Sequence, residues 1–399
     1  MKKLCIVIAL IATLAIEQKI MGQTGIKITV FPQLTAGTIS GGISPLCYNN
    51  PGGSFIGTPA TGGKGIYTYQ WQSSSDGTNW ANILGANALT YNVGNLLTTT
   101  RFRVACINPL CGTLYSNIIT INVYSVFVAG TVTGGNNNIC NGANGGTLTA
   151  TASTGGAPGT TYQWQSSIDS TNWANVFGQT TLTLITGNLT HTMWYRLQCN
   201  NSCTILFTNN KKIVVYDVFT QGVISANGDT TICHNIDFGA FVGTPAIGGA
   251  PGTTYQWEQT INNGITWANI LGANGINYDP ANLVLTTKFR RQDQNVCNNL
   301  YTNPITILVY PAFTTGIIGN NQSICSGTTP TAMIFTTPPA GGDGIYTYQW
   351  RSSPDGGVTI PWNPISGATN NTYQPASLLA SVWYSVIVSS GCGSGPALP

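Results

Sequence analysis

Tandem β-sandwich modules are the fold this sequence predicts, and three observations predict it. The tetrads around Trp71, Trp164, Trp257 and Trp350 read YQWQ, YQWQ, YQWE and YQWR and recur every 93 residues, so four copies of one module are present. Short alternating runs such as YTYQWQ, TNWANIL, TRFRVA and IITINVY are separated by Gly, Asn, Asp and Ser clusters, with Asp76-Gly77 and Asn263-Gly264 as turn signals. Beyond the N-terminus no stretch has helical periodicity.

The first element lies outside the mature fold. Lys2 and Lys3 precede the apolar run LCIVIALIATLAI, and MGQ supplies a small-residue cleavage site, so residues 1–22 are expected to be a secretory signal peptide and Gln23 the mature N-terminus. The run is too short to span a bilayer. Cys5 lies inside it and not at the cleavage site, which argues against a lipid anchor. The expected organisation is an N-terminal strand and linker at 23–34, then modules at 35–127, 128–219, 220–313 and 314–399.

Composition narrows the function. Charged residues make up 6% of the chain, and hydrophobic residues at 42% suffice for cores in modules of this size. Removing Lys2, Lys3, Lys19 and Glu17 with the signal leaves 11 basic and 10 acidic residues, a net charge of +1. No basic run exceeds the pairs Lys211-Lys212 and Arg290-Arg291, so neither nucleic acid nor an anionic membrane is expected as a partner. Near-zero charge favours self-association.

The cysteines follow the period. Cys47, Cys140, Cys233 and Cys325 open the modules, and Cys111, Cys203, Cys297 and Cys392 recur about two thirds of the way through. Pairing within modules closes loops of 64, 63, 64 and 67 residues. Each such bridge is worth about 4 kcal/mol by the chain-entropy argument, and export makes oxidation plausible. Spacing alone leaves the connectivity open. Cys106 and Cys199 are extra, and are expected as alternative disulfide partners or buried thiols; two thiols without a nearby histidine do not make a metal site.

A cysteine, a tryptophan on a central strand and a second cysteine within one module is the pattern of a two-sheet sandwich with the indole packed near the bridge. Trp71, Trp164, Trp257 and Trp350 are the expected core indoles. Two departures set the module apart from the strict immunoglobulin pattern: the insertion PGGSFIGTPATGGKG after Cys47, and an aromatic eight or nine residues before the second cysteine. The run YTYQWQSSSDGTNWANILGANALTY…TTTRFRVA…CGTLYSNIITINVY is similar to the immunoglobulin-like repeats of large cell-surface and gliding-associated adhesins of Bacteroidota. All four modules carry it. The resemblance implies an extracellular multi-module surface protein. Such repeats serve adhesins, scaffolds and accessory regions of enzymes alike, so function has to come from elsewhere; no sorting domain is visible after the last repeat, which argues against attachment to the surface by that route.

Catalytic constellations are thin, and no enzyme and no cofactor are expected. The histidines, His191 and His234, fall in different modules at non-equivalent positions. Asp76, Asp169 and Asp355 recur in one hairpin, where Asp serves turns. Paired carboxylates for glycoside hydrolysis and clustered oxygens for calcium are both missing. Trp80, Trp173, Trp267 and Trp362 recur after the YQW strand, followed at fixed spacing by an apolar pair such as Ile83-Leu84 or Ile270-Leu271, and are expected in the core, as are Trp194 and Trp383. Surface glycans stacking on these rings are the competing expectation.

The ends are the sharpest feature. An alternating strand starts eight residues after the second cysteine in the first three modules: ITINVY after Cys111, KKIVVY after Cys203 and ITILVY after Cys297. Eight residues after Cys392 is position 400, one beyond Pro399, so the fourth module is expected to lack its last strand. A spare copy, GIKITVF at Gly25 to Phe31, aligns with the first module's strand at an offset of 93. Ile26, Ile28 and Val30 match Ile119, Ile121 and Val123, and also Ile305, Ile307 and Val309. The linkers agree too: Phe31 to Leu34, Tyr124 to Phe127, Tyr216 to Phe219 and Tyr310 to Phe313 each lead to a glycine, Gly37, Gly130, Gly222 or Gly316. A sandwich open at an edge needs a strand from elsewhere, and donor-strand complementation supplies one. Were the modules strung in a row, the two ends would meet only between copies, and such non-closing contacts build filaments. The expectation is a secreted head-to-tail filament with Ile26, Ile28, Val30 and Phe31 as donor residues; the rival is a surface adhesin or glycan-binding repeat protein with a truncated C-terminus.

Overall fold

A computed structural model describes residues 6–7, 26–319 and 321–399; the expected signal peptide falls outside them except at Ile6–Val7, which pairs antiparallel with Thr29–Val30. Every regular element among the described residues is a β-strand. Compact contacts divide the chain into two units, one of Met1–Asn137 with Asn144–Val214, the other of Asn138–Ala143 with Val215–Pro399.

The first module shows the plan. One sheet holds Ile39–Gly41, Asn50–Gly57 and Thr90–Leu96; the other runs Ile119–Ile121, Thr100–Asn108, Thr68–Ser74, Ala81–Asn82, with Gly112–Tyr115 folding back on Thr100–Asn108. Alternation makes the two faces: in Thr100–Asn108, Phe102, Val104 and Cys106 are buried while Arg101 and Arg103 point outward and stay half-exposed. Phe55 stacks on Trp71 at 5.4 Å, and Ile121 closes the core from the last strand. Modules two and three repeat this arrangement, with Thr161–Ser167 and Thr254–Thr260 as the tryptophan strands and Met193–Asn200 and Thr287–Gln294 as their neighbours. In module four the same pair is Thr347–Ser353 and Trp383–Ser390.

All four core indoles are fully buried. Each donates its ring N–H to a carbonyl, Ala88, Thr181, Gly275 or Asn370, at 2.8 to 3.0 Å. The preceding glutamine completes the motif. Gln70 Nε2 donates to the carbonyls of Trp71 and Ile83, and Gln163, Gln256 and Gln349 do the same in their modules. The YQW tetrad therefore encodes a buried ring and the clamp on the adjoining hairpin.

Opposite the indole, module three departs from its siblings. The register pairs Trp71 with Val104, Trp164 with Leu197, Trp257 with Arg291 and Trp350 with Val386. Two residues on, the inward position is Cys106, Cys199, Asp293 or Val388. Arg291 and Asp293 are fully buried and bonded at 2.6 Å, and Arg291 also donates to the carbonyls of Ile276 and Thr244, both at 2.7 Å. Asp293 accepts a third bond from Gly222 N–H at 2.8 Å. Cys106 and Cys199 occupy Asp293's place as buried thiols facing Gly37 and Gly130, and burial pushes both thiols up from the ordinary cysteine range.

The bridges overturn the pairing expected within modules. Sulfur joins Cys47 to Cys203, Cys140 to Cys297 and Cys233 to Cys392, with Cα atoms 5.4 to 5.5 Å apart. Each of the first three opening cysteines reaches the second cysteine of the following module, so Cys47–Cys111, Cys140–Cys203, Cys233–Cys297 and Cys325–Cys392 are not the connectivity. Geometry is the reason. Leu46, just before Cys47, pairs with Val123 at the exit end of the last strand, where Val123 N–H bonds Thr99. Cys111 lies beyond Asn108, at the far end of the nine-residue strand Thr100–Asn108. Such a strand is roughly 30 Å long, and disulfide Cα atoms must approach within about 7 Å. The following module begins at the exit end and brings its second cysteine there.

Candidate assembly site on the fourth module

In modules one to three the last strand lies between two partners. On one side it pairs antiparallel with the strand facing the tryptophan strand: Ile119 with Phe102, Lys211 with Tyr195, Ile305 with Phe289. On the other, its end runs beside the residues before the opening cysteine. Tyr124 N–H donates to Leu46 C=O, Tyr216 to Ile139 and Tyr310 to Ile232, each at 2.9 Å. The strand's central side chain, Ile121, Ile213 or Ile307, is 0% exposed.

Module four keeps both partners and, among the described residues, has no strand between them. Trp383–Ser390 is flanked by Thr347–Ser353 and by Gly393–Pro396, and the latter covers only its Ile387–Ser390 half. The walls of the slot are uncovered accordingly. Ile324, equivalent to the buried Leu46, Ile139 and Ile232, is 41% exposed. Tyr384, equivalent to Phe102, Tyr195 and Phe289, is only half-buried, and Trp383 beside it is 59% exposed. In module two the same tryptophan, Trp194, is capped by Lys212 of the last strand, with the ammonium 5.1 Å from the ring.

The N-terminal segment has the matching surplus. Ile26, Ile28 and Val30 are 73%, 55% and 62% exposed, whereas the equivalents of Ile28 are the fully buried Ile121, Ile213 and Ile307. Phe31 is half-buried. Behind it the linker already sits as the inner linkers do. Gly63 N–H donates to Pro32 C=O at 2.8 Å, as Gly156 does to Ser125, Gly249 to Asp217 and Gly342 to Pro311. Leu34 is buried like Phe127 and Phe219. The close approach at the following glycine is also shared: a Cβ on Gly37 or Gly130 would lie 1.8 Å from a carbonyl oxygen.

The remaining candidate residues do not assemble a second site. Trp80, Trp173 and Trp267, expected in the core, stand half-buried on the outer face, each stacked on an arginine at 4.1 to 4.2 Å. Arg103, Arg196 and Arg290 are held on their other side by Tyr115, Phe207 and Tyr301. Trp362 faces Arg351 at 5.1 Å. These tryptophans begin the short return hairpin, where the outward side of the sheet is the side they reach. The apolar pair that follows splits: Ile83 packs on the core, while Leu84 is wholly exposed. Trp194 and Trp383 are likewise outside the core.

Asp76 accepts from the backbone N–H groups of Asn79 and Thr78, the side-chain amide of Asn79 and Ser74 Oγ, which together hold its carboxyl well below the usual carboxylate range. Asp169 and Asp355 are held low the same way, by the backbone of Asn172 and the hydroxyl of Thr359 first. They are turn residues. His191 bonds Thr190, and among the described residues no three His, Cys, Asp or Glu side chains cluster as metal ligands do.

A family model for a domain of unknown function (DUF8696) matches residues 35–125, 128–217, 220–311 and 314–397, and the chain belongs to that family. Among solved structures it is similar to titin domains A168–A170, at 14% identity over 70% of this chain and 97% of that one, with a TM-score of 0.28. It is also similar to Sidekick-1 immunoglobulin domains 1–4, at 12% identity over 92% and 97%, with a TM-score of 0.27, and to extracellular domains 3–5 of Drosophila OTK, at 13% over 70% and 97%, with a TM-score of 0.25. No curated protein matches.

Proposed function

We propose that this chain of four DUF8696 domains is the subunit of an extracellular filament, in which the N-terminal strand of one copy completes the fourth module of the next. One observation carries the reading: the apolar face of Ile26, Ile28 and Val30 is exposed at one end, and the slot walls Ile324, Trp383 and Tyr384 are exposed at the other, although every equivalent of Ile28 and Ile324 is buried within the chain. The inner modules supply the register. Ile26 would lie opposite Tyr384, Lys27 opposite Trp383 and Ile28 opposite Val382, with Val30 beside Ile324. Lys27 then caps Trp383 as Lys212 caps Trp194. Backbone pairing supplies affinity and the alternate side chains supply register. Because donor and slot are different surfaces, the contact is heterologous and repeats without closing. The disulfides support an oxidising, exported setting. The resemblance to Bacteroidota adhesin repeats adds the cell surface as its place.

The test compares three mature chains by negative-stain microscopy and sedimentation. Deleting Gln23 to Phe31, or making Ile28→Asp, should abolish filaments and leave modules one to three folded, because an unpaired carboxylate in that slot costs several kcal/mol. A chain with ITILVY appended after Pro399 should fill its own slot and stay monomeric. Long polymers from all three chains would refute the reading, and a monomeric parent chain would favour the adhesin alternative.

A further inference from the structure

The three bridges interleave, and interleaving gives the chain a covalent short cut. Cys47–Cys203, Cys140–Cys297 and Cys233–Cys392 span sequence separations of 156, 157 and 159, and each loop begins before the previous one closes. Between Cys47 and Cys392 the backbone runs for 345 residues. The shortest covalent route does not follow it. It crosses the first bridge to Cys203, takes the 30 residues to Cys233 and crosses the third bridge to Cys392. Fully extended, the backbone route would reach about 1,200 Å and the short one about 100 Å. Between these two cysteines the bridged chain cannot be drawn out beyond about a tenth of its unbridged reach, even with every module unfolded.

From Cys203 to Cys233 the route takes in the last strand of module two, Lys211–Val215, and the first strands of module three, Ile224–Ala226 and Thr231–Ile232. The strand Lys211–Val215 is held from both sides. It pairs with Met193–Tyr195, its end donates from Val214 and Tyr216 N–H to Asn137 and Ile139 C=O at 2.9 Å, and Ile213 is fully buried beneath it. Bonds to the antiparallel neighbour lie across the strand, so a pull along the strand loads them together and not one by one. The four tryptophan strands, Thr68–Ser74, Thr161–Ser167, Thr254–Thr260 and Thr347–Ser353, all lie off the route.

We propose that this chain is a load-bearing tether, in which the interleaved bridges carry tension past the cores of the modules. Pairing within modules would instead send it through every linker in turn. In the filament the route meets each junction directly, because Cys392 lies two residues after the slot strand Trp383–Ser390 and Phe31 leads to Cys47. The short cut belongs to the single chain and stands whether or not copies join.

The experiment stretches single mature chains, from Gln23 to Pro399, held by peptide tags at the two ends in optical tweezers, first oxidised and then with dithiothreitol. Net of the tags, the oxidised chain should stop lengthening at roughly 60 residues of contour, about 220 Å. The reduced chain should open in module-sized steps to roughly 375 residues, a gain of about sixfold. Double variants locate the route. Cys47→Ser with Cys203→Ser, or Cys233→Ser with Cys392→Ser, should raise the oxidised limit about threefold, to roughly 190 residues. Cys140→Ser with Cys297→Ser should leave it unchanged, since the middle bridge is not on the shortest route. The parent decides the matter even where a variant does not fold: an oxidised limit near roughly 120 residues is that of pairing within modules and would overturn the proposal. Module-sized steps in the oxidised parent, or a middle-bridge variant that lengthens as far as the outer two, would overturn it as well.

Discussion

Replacing Arg291 should damage the third module far more than replacing Arg291 and Asp293 together. In Arg291→Val, Asp293 keeps a charge in a site with 0% exposure and retains Gly222 N–H as its only bond of the three now made, while the carbonyls of Ile276 and Thr244 lose their donor. Removing one partner of such a buried pair costs about 3–5 kcal/mol. The double change to Val at both positions re-creates what the fourth module carries at Val386 and Val388, both 0% exposed. It should therefore be the more stable of the two variants, by at least about 2 kcal/mol relative to Arg291→Val alone, because a buried pair exchanged for packed apolar side chains leaves no uncompensated charge. Native-state hydrogen exchange of the full chain is the suitable assay, read on the peptide covering Thr287–Gln294, because four modules need not unfold as one two-state unit. A double variant whose strand opens as readily as that of Arg291→Val would show that the ion pair is not self-compensating, and that module three depends on it independently.

Two further outcomes test the core and the turns. Trp257→Ala should cost module three about 3–5 kcal/mol, seen as lost exchange protection in Thr254–Thr260, while modules one and four stay protected; an unchanged module would refute the indole's place in the core. Asp76, Asp169 and Asp355 titrate lower in the folded chain than the unfolded value of about 3.9, so their contribution is present above that pH and is lost as pH falls below it. Exchange protection at Asn79 and Asn172, measured from pH 6 down to pH 3, should therefore fall below about pH 4 in the parent. Asp76→Asn should remove that pH dependence at Asn79 alone.

Local pattern was legible wherever one residue's environment follows from its neighbours in sequence. The 93-residue period, the all-β class and the buried YQW indoles are readable because alternation places a side chain on one of two faces and the turn residues mark where strands end. The alignment of GIKITVF with the last strands of the inner modules is visible for the same reason. Which outward or inward face a tryptophan meets is not. Trp80 recurs as regularly as Trp71, yet it stacks on Arg103 outside the sheet, since its partner comes from a strand more than twenty residues away.

The sequence by itself determined the repeat, the strand pattern and the alignment of GIKITVF with the last strands of the inner modules. Tertiary structure alone decided the sulfur connectivity. In a periodic chain, pairing within a module and pairing with the next differ by one period, and the cysteine pattern looks the same in both. Only the three-dimensional course of the chain separates them, by setting Cys47 at the exit end of its module beside the hairpin that carries Cys203, and Cys111 a strand's length away. The buried Arg291–Asp293 pair is the other such case: two charges at alternate positions of a strand read as solvent-facing until the fold brings the carbonyls of Ile276 and Thr244 and the N–H of Gly222 to bond them.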